Sequence, residues 1–131
     1  MLLPWVRKRL LNDPKRFGRW GQDRSEKYLL RKGCKTIARN YAVRGGEMDL
    51  VMADPEGTIA FVEVKTRQSE TFAPAKAAVN YKKRQKMIRT AKCFLREFDL
   101  SGRPLRFDVI TVLLGSKGTP VIHHYPNAFV P

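Results

Sequence analysis

Cysteine is nearly absent from this chain, which contains only Cys34 and Cys93. Two cysteines so far apart in sequence exclude a disulfide framework and the clustered ligands of a structural zinc site. We therefore expect two buried thiols in a reducing compartment, which makes the cytoplasm the expected location. The chain also lacks an apolar run long enough to span a membrane. Its apolar opening at 1–5 precedes its positive charges, unlike a secretory signal.

Acidic residues are scarce as well. The 131 residues include 12 Asp and Glu against 26 Lys and Arg, so the formal net charge is +14. A positive excess of this size favours a polyanionic partner, with nucleic acid as the first candidate and an anionic membrane surface as the second. Pro4 and Pro14 interrupt any long amphipathic helix in the basic N-terminal segment, so nucleic acid is preferred and no membrane partner is expected.

The chain has neither internal repeats nor low-complexity segments, and 43% of its residues are hydrophobic. A chain of this length and composition can bury a core of its own. We predict a basic N-terminal arm at 1–18, either extended or partly helical, with its flexibility left open. A single domain follows at 19–131.

Alternating helical and strand patterns organise this domain. Hydrophobic periodicity and turn-forming residues predict two helices, five strands, one loop and one turn. The helices are predicted at 22–32 and in a long segment ending at 98, the strands at 34–43, 47–53, 58–66, 105–114 and 121–125, the loop at 67–75 and the turn at 115–118. The order α-β-β-β-α-β-β predicts an α/β fold in which helices flank a mixed central sheet.

Three side chains on the second and third predicted strands form the candidate catalytic set: Asp49, Glu63 and Lys65. A hairpin that pairs Asp54 with Thr58 brings these strands into one register. In that register Asp49 lies opposite Glu63, and Lys65 shares their face because side chains two apart on a strand point the same way. Two neighbouring carboxylates are costly unless a cation compensates them, and a lysine beside them can steady an attacking water. The spacing of Asp49, Glu63 and Lys65 along the chain is typical of a metal-dependent nuclease.

The same three residues also fit an ordinary cross-strand ion pair on a solvated face. On spacing alone, the ion pair and the catalytic site are about equally supported. The neighbouring residues Leu50, Val62 and Val64 are apolar, which indicates that the opposite face of these strands packs in a core.

Three further segments carry a resemblance to a known family: Gly46–Leu50, Phe61–Arg67 and Arg106–Val109. They read GEMDL, FVEVKTR and RFDV, and together they resemble the motifs of the bacterial YraN family. The resemblance extends over nearly all of 18–129, including the NAF ending at 127–129. It implies the PD-(D/E)xK restriction-endonuclease-like fold, akin to the archaeal Holliday junction resolvases, and a nuclease activity.

The resemblance also implies roles for individual residues. Asp49 and Glu63 are the implied metal-binding acids, and Lys65 is the implied catalytic lysine. Mg²⁺ or Mn²⁺ is the expected cofactor, because hard cations prefer oxygen ligands. The main-chain carbonyl near Val64 is a further candidate oxygen ligand.

The chain departs from the family pattern at Gln22, where the family commonly has Glu in a Gly-Glu pair at the start of the first helix. In related nucleases such an acid helps to complete the metal site. The amide oxygen of Gln22 is one candidate replacement, and Asp23 or Glu26 are alternatives.

Basic residues are the candidates for contact with nucleic acid. Two lie near the strands and four on the predicted long helix: Arg44, Arg67, Lys82, Lys83, Lys86 and Arg89. Arg44 and Arg67 fit equally well as partners of nearby acids. No pattern indicates that base edges are read, so recognition of shape or branching is favoured over sequence, and DNA over RNA. Cutting a junction needs two active sites, so a homodimer is expected under that interpretation.

Two functional hypotheses remain open. In the first, the protein is a metal-dependent nuclease that hydrolyses DNA phosphodiesters, on branched or repair intermediates. In the second, it retains the nuclease fold as a catalytically weak or inactive nucleic-acid-binding protein, and Gln22 marks an eroded site. Catalysis requires Asp49, Glu63 and Lys65, whereas binding requires only Lys and Arg.

Overall fold

A five-stranded sheet forms the centre of the molecule in the computed structural model, which describes residues 2–69, 80–115 and 119–131. The elements follow one another as α1 (Pro4–Leu11), α2 (Pro14–Arg31), β1 (Lys35–Val43), β2 (Gly46–Ala53), β3 (Ile59–Arg67), α3 (Tyr81–Glu97), β4 (Leu105–Leu113) and β5 (Val121–Phe129). The strands lie in the order β1-β2-β3-β4-β5, and β3 and β4 are parallel while the other pairs are antiparallel. The predicted α/β class with a mixed sheet is confirmed.

Successive side chains of a strand point to opposite sides of the sheet. Helices pack against both sides, so both faces of the sheet are buried. On one face Phe61 packs with Phe94 of α3 in a core cluster. On the other face Leu50 and Val62 pack with Leu29 of α2. The expectation that the apolar neighbours of the candidate site lie in a core therefore holds, and the site lies between two packed layers.

The N-terminal segment is more helical than the sequence predicted. Helix α2 begins at Pro14, eight residues before the predicted start at Gln22, and is preceded by the separate helix α1. Asp13 caps α2 by accepting a hydrogen bond from the Arg16 amide at 3.2 Å, and proline is well suited to the first helical position. Arg7 of α1 donates two hydrogen bonds to the Gly115 carbonyl, at 2.8 and 3.2 Å.

Strands β2, β3 and β4 agree with the predicted ranges to within one residue at each end, whereas β5 is four residues longer than predicted. The predicted strand ends at Tyr125, and Pro126 follows it. β5 is an edge strand, so no neighbouring strand lies on its open side. Proline has no N–H group to donate, and edge strands tolerate it for this reason.

A buried carboxylate ties the end of β5 to β4. Asp108, with no exposed surface, accepts hydrogen bonds from the Arg106 guanidinium at 3.1 and 3.2 Å and from the Asn127 amide at 3.0 Å. It also lies 2.8 Å from the His124 ring nitrogen. Arg106 reaches on to Asp54 at 2.8 Å, so one network joins β4, β5 and the β2–β3 turn.

Three further sequence predictions concern the two cysteines, a loop with a turn, and membrane-spanning helices. Cys34 is buried as expected, whereas Cys93 is only half-buried on α3, and both thiols are free. Much of the predicted loop at 67–75 and of the predicted turn at 115–118 lies outside the described residues. Within the ranges that the structure describes, no helix combines the length and the apolar character needed to cross a lipid bilayer.

Candidate functional site

The candidate site lies where β2 and β3 part. Four residue pairs join these strands, from Ala53 opposite Ile59 to Leu50 opposite Val62, in the register predicted from the hairpin. The next pair in this register is Asp49 and Glu63, and there the ladder stops. Strands that separate leave amides and carbonyls without cross-strand partners, so this position needs other hydrogen-bonding groups.

The Asp49 carboxylate supplies one of them. Its Oδ2 atom accepts a hydrogen bond from the Val64 amide at 2.8 Å, so a side chain replaces the main-chain pairing that has ended. This contact fixes the carboxylate between the two strands. The sequence predicted that Asp49 and Glu63 come together but not that the Val64 amide holds Asp49, because the sequence pattern does not indicate where a ladder stops.

The surroundings of Asp49 disfavour its charge. Burial, together with repulsion from Glu63, raises the pKa of Asp49 to about 6, against the opposing effects of the Val64 amide and of Lys83. Glu47 adds a smaller repulsion. A carboxyl group in this condition gains from any cation that approaches it.

Glu63 is buried, with 6% of its surface exposed, and two ammonium groups contact its Oε1 atom. Lys65 Nζ lies 3.4 Å away and Lys83 Nζ lies 3.2 Å away. The structure therefore places the three residues of the candidate catalytic set together. Lys83 was predicted as a phosphate contact only, because periodicity along α3 gives no sign that its first turn lies over the end of β3.

Close packing of helices on the sheet positions these side chains. A Cβ atom on Gly21 of α2 would lie 2.0 Å from Thr66 Oγ1 on β3, so glycine permits the contact. In the same way, a Cβ atom on Gly46 of β2 would lie 2.2 Å from Thr90 Oγ1 on α3. The two helices thus approach the sheet closely on either side of the candidate site.

A cleft of about 740 Å³ opens beside Asp49, between the N-terminal half of α2 and the ends of β1, β2 and β3. Gln22 and Val64 line it with Asp49, so three of the four predicted metal ligands face one space. The cleft is lined by Pro14, Lys15, Phe17, Gly18, Arg19, Gln22, Asn40, Glu47, Asp49, Val64, Thr66 and Arg67.

The alternatives to Gln22 are engaged elsewhere. Asp23 is exposed and forms an ion pair with Lys27 at 3.1 Å. Glu26 accepts hydrogen bonds from Thr36 at 2.6 Å and from Arg39 at 2.8 and 2.9 Å, and the bond from Arg39 lowers its pKa. Of these three residues, only Gln22 lines the cleft.

The donor set fits a hard divalent cation. Asp49 and Glu63 provide carboxylate oxygens, and Val64 and Gln22 are candidates for neutral oxygens. Among the described residues no group of three or more Asp, Glu, His or Cys side chains is arranged to hold a metal ion. Mg²⁺ commonly binds through one or two carboxylates and keeps several waters, and on that basis these residues stay candidate ligands.

The predicted nucleic-acid contacts fall into two regions. Arg67 is exposed and lines the cleft. Lys82, Lys86 and Arg89 are exposed along α3, outside the cleft lining. Arg44 is exposed in the β1–β2 turn, which leads into Gly46 and so reaches α3.

Fold and site together define a class of α/β protein. A mixed five-stranded sheet lies between helices, and two acids and a lysine meet where two of its strands separate. A model described as "Uncharacterised protein family UPF0102" matches residues 21–112, and the chain belongs to this family. This is the family that the motifs indicated under the name YraN.

Relatives from several bacteria match most of the chain. A UPF0102 protein of Trichlorobacter lovleyi is 40% identical over 112 residues, which cover 86% of this chain and 88% of the relative. One from Solibacter usitatus is 40% identical over 118 residues, covering 88% and 87%. One from Methylibium petroleiphilum is 44% identical over 104 residues, covering 75% and 84%.

Proposed function

We propose that the protein is a metal-dependent nuclease that hydrolyses DNA phosphodiesters, on branched or repair intermediates. The observation that carries the proposal is the meeting of Asp49, Glu63 and Lys65 at the separation of β2 and β3. The raised pKa of Asp49 supports it, because a carboxyl group that is costly to ionise is stabilised by a bound cation. The fold would then be of the PD-(D/E)xK type.

Asp49 and Glu63 would hold Mg²⁺ or Mn²⁺, together with the Val64 carbonyl and the Gln22 amide oxygen. A bound divalent cation supplies a Lewis acid for phosphodiester hydrolysis. The Val64 amide keeps the Asp49 carboxylate in the gap, so this ligand is positioned before the substrate arrives.

Lys65 has the role of orienting the attacking water and of compensating charge at phosphorus. Its Nζ atom is 3.4 Å from Glu63, and only 16% of its side chain is exposed, so its position is restricted. Lys83 contacts the same Glu63 oxygen and is more exposed, at 36%. We assign Lys83 to holding Glu63 in place and to contacting the phosphate backbone.

The exposed basic residues would hold the DNA. Lys82, Lys86 and Arg89 on α3, with Arg44 and Arg67 near the strand ends, offer phosphate contacts. Each phosphate contact removed should reduce the slope of log affinity against log salt concentration by about one unit. Such contacts do not read bases, so the preference is for the shape of the DNA.

The proposal is tested by incubating purified protein with labelled single-stranded, duplex, flap and four-way-junction DNA in Mg²⁺ or Mn²⁺. We expect cleavage that EDTA abolishes and that Asp49→Asn and Glu63→Gln both lose. Asp23→Asn is the matched control, because this acid is exposed and paired on the surface of α2. Binding by Asp49→Asn should equal or exceed that of the wild type, since a negative charge near the phosphate is removed.

A second candidate, a nucleic-acid-binding protein with an eroded site, is favoured by Gln22, an amide in the cleft where the resemblance implies an acid. Gln22→Glu distinguishes the two. Under the eroded-site hypothesis, the wild type binds DNA without cleaving it in any metal, and Gln22→Glu raises metal affinity or brings cleavage back. Under the nuclease hypothesis, the wild type already cleaves.

A further inference from the structure

The cleft beside Asp49 has a wall that the catalytic set does not explain. This wall is the N-terminal half of α2, where Lys15 and Arg19 lie one helical turn apart and both line the cleft. Arg67 lines it from the end of β3. Three cations therefore surround the space that leads to Asp49, and all three are exposed. Cations in this arrangement fit phosphate groups of a strand lying in the cleft.

Gly18 lies within the same wall and has no packing reason to be glycine. A Cβ atom at Gly21, one turn further on, would collide with Thr66, but a Cβ atom at Gly18 would meet no atom of the described residues within 4 Å. Glycine inside a helix destabilises it relative to alanine. The free space at Gly18 opens on the cleft, as expected where a ligand approaches a helix backbone closely.

An aromatic ring completes the wall. Phe17 lines the cleft and is stacked on Trp20, with ring centroids 5.8 Å apart and planes inclined by 10°. Trp20 packs against the core beneath α2, so it supports Phe17 from behind. An aromatic ring beside cations is the combination that binds unpaired nucleic acid, because every base has a face that can stack.

We propose that this cleft admits nucleic acid as an unpaired strand. Lys15, Arg19 and Arg67 hold its phosphates, Phe17 lies against a base, and the strand passes Gly18 on its way to Asp49. The inference rests on the proposed function, of which it names the form of substrate. It gives the α2 wall a role distinct from that of the basic residues on α3.

The groups that line the cleft favour an unpaired strand over a duplex. The volume of the cleft, about 740 Å³, falls in the range of small-molecule sites, roughly 300–1,000 Å³. A duplex keeps its bases stacked inside and offers only its backbone and grooves at such an opening. An unpaired strand brings both phosphates and free base faces, which matches the two kinds of group on the wall.

The test is fluorescence anisotropy with a short labelled oligothymidylate, which has no secondary structure, and a duplex of equal length, both in EDTA. Gly18→Trp should fill the cleft and weaken single-strand binding on the order of tenfold or more, because a stacking contact and phosphate contacts are lost together. Gly18→Ala is the comparison variant and should weaken single-strand binding much less, because a methyl group fills little of the cleft. Duplex binding should change little in either variant.

A second pair of variants tests the cations without filling the cleft. Arg19→Glu should weaken oligothymidylate binding, whereas Arg31→Glu, an exposed position of the same helix outside the cleft, should have a smaller effect. The proposal is overturned if Gly18→Trp binds the single strand normally while Arg19→Glu and Arg31→Glu behave alike. Equal losses for single strand and duplex would also contradict it.

Because binding is measured without metal, the proposal for the cleft and the proposal of nuclease activity are tested independently of each other. If the wild type cleaves nothing but Gly18→Trp still loses single-strand binding, the cleft assignment stands and the nuclease falls. If Gly18→Trp cleaves and binds every substrate as the wild type does, the nuclease stands and the cleft assignment falls.

Discussion

Asp49 is the residue at which structure and proposed chemistry meet most closely. Its carboxyl group has a pKa of about 6 in the folded protein, raised first by burial and then by Glu63, against 3.8 for an ordinary aspartate. A carboxyl group whose pKa is raised by folding binds its proton more tightly in the folded state. Its ionisation therefore costs stability, which falls as the pH rises from about 4 to about 6 and stays lower above that.

Replacing Asp49 with asparagine should consequently stabilise the metal-free protein near neutral pH. Asparagine keeps an oxygen that can accept the Val64 amide bond but carries no charge. The gain should be up to about 3 kcal/mol, because the pKa of Asp49 rises from 3.8 to about 6 and one pKa unit corresponds to about 1.4 kcal/mol. The measurement is urea unfolding of both proteins at about pH 7 and about pH 4.

The change of this stability difference with pH identifies its cause. The advantage of Asp49→Asn should be much smaller at the acidic pH, where the aspartate is protonated in the folded state and about half protonated in the unfolded state. An equal difference at both pH values, or a less stable variant at neutral pH, would mean that Asp49 is not held in an unfavourable charged state.

Lys83 of α3 is the cation that favours the charged form of Asp49. It lowers the pKa of Asp49 and contacts Glu63 at 3.2 Å. Lys83→Met should therefore raise the pKa of Asp49 above about 6, because one compensating charge is lost. The pKa is read from the pH titration of the aspartate carboxyl carbon by NMR.

Lys82→Met is the matched control for this titration. Lys82 is exposed on the adjacent position of α3 and is not among the charges that shift Asp49. An unchanged Asp49 titration in Lys83→Met, or the same shift in both variants, would contradict the contact between Lys83 and the acidic pair.

The part of the candidate site that could be predicted from the sequence is the part created by a local hairpin. Asp49 and Glu63 are only a short turn apart, so strand register alone brings them together. The contact of Lys83 with Glu63 depends on how α3 crosses the sheet, and helical periodicity carries no such information. The α2 wall was missed for a different reason: its basic residues were interpreted as an arm.

Among the helices and strands, helix α2 is longer than the sequence predicted, although its first residues carry a clear helix-start signal. Asp13 followed by Pro14 is a favourable helix beginning, with the cap made by Asp13. The basic residues around this signal resemble a solvated tail, and the sequence therefore predicted an arm there instead of a helix. Strands β2, β3 and β4 were easier, because long apolar stretches bounded by turn residues are typical of buried strands.

The contact between α2 and β3 should tolerate no side chain at Gly21. A Cβ atom there would lie 2.0 Å from Thr66 Oγ1, so Gly21→Ala must push the helix or the strand aside. We expect a loss of about 1–3 kcal/mol, typical of overpacking. Thermal unfolding measures it, and Thr66→Ala in the same chain should restore part of the loss by removing Oγ1 and Cγ2.

Gly18→Ala is the natural comparison in the same helix. In the part of the chain that the structure describes, nothing lies within 4 Å of its Cβ position, so the substitution should stabilise the protein by up to about 1 kcal/mol through helix propensity. Similar unfolding temperatures for Gly18→Ala and Gly21→Ala would show that α2 does not rest on Thr66.

The β4–β5 edge depends on Asp108. This carboxylate is fully buried and serves Arg106, His124 and the Asn127 amide together. Asp108→Asn should cost about 1.5–3 kcal/mol, because it weakens charge-assisted hydrogen bonds at a fully buried position while Asp54 still pairs with Arg106. Chemical denaturation measures the cost, with Asp23→Asn as the control in an exposed ion pair. A cost as small as that of the control would mean that this network contributes little.

At the scale of the whole molecule, two of the basic surfaces that contribute to the net charge of +14 differ in geometry. The outer side of α3 carries exposed basic residues on an open helix, and the α2 wall carries them around a cleft. A substrate with both paired and unpaired segments would match both surfaces at once. This is a reason to prefer branched DNA among the candidate substrates.

The expected homodimer stays a prediction. The open edge of β5 offers one candidate interface, and Val121 at its start has 48% of its surface exposed. Sedimentation of the purified protein determines whether two copies associate, and hence whether two sites can act on one junction.

The most direct test of the central claim, that Asp49 and Glu63 form a divalent-cation site, is the unfolding temperature measured against Mg²⁺ and Mn²⁺ concentration. A ligand that binds only the folded state raises this temperature as its concentration rises. We expect a saturable increase for the wild type near neutral pH that weakens below about pH 6, as protons compete for Asp49, and no increase for Asp49→Asn. Equal responses of wild type and Asp49→Asn would contradict the account.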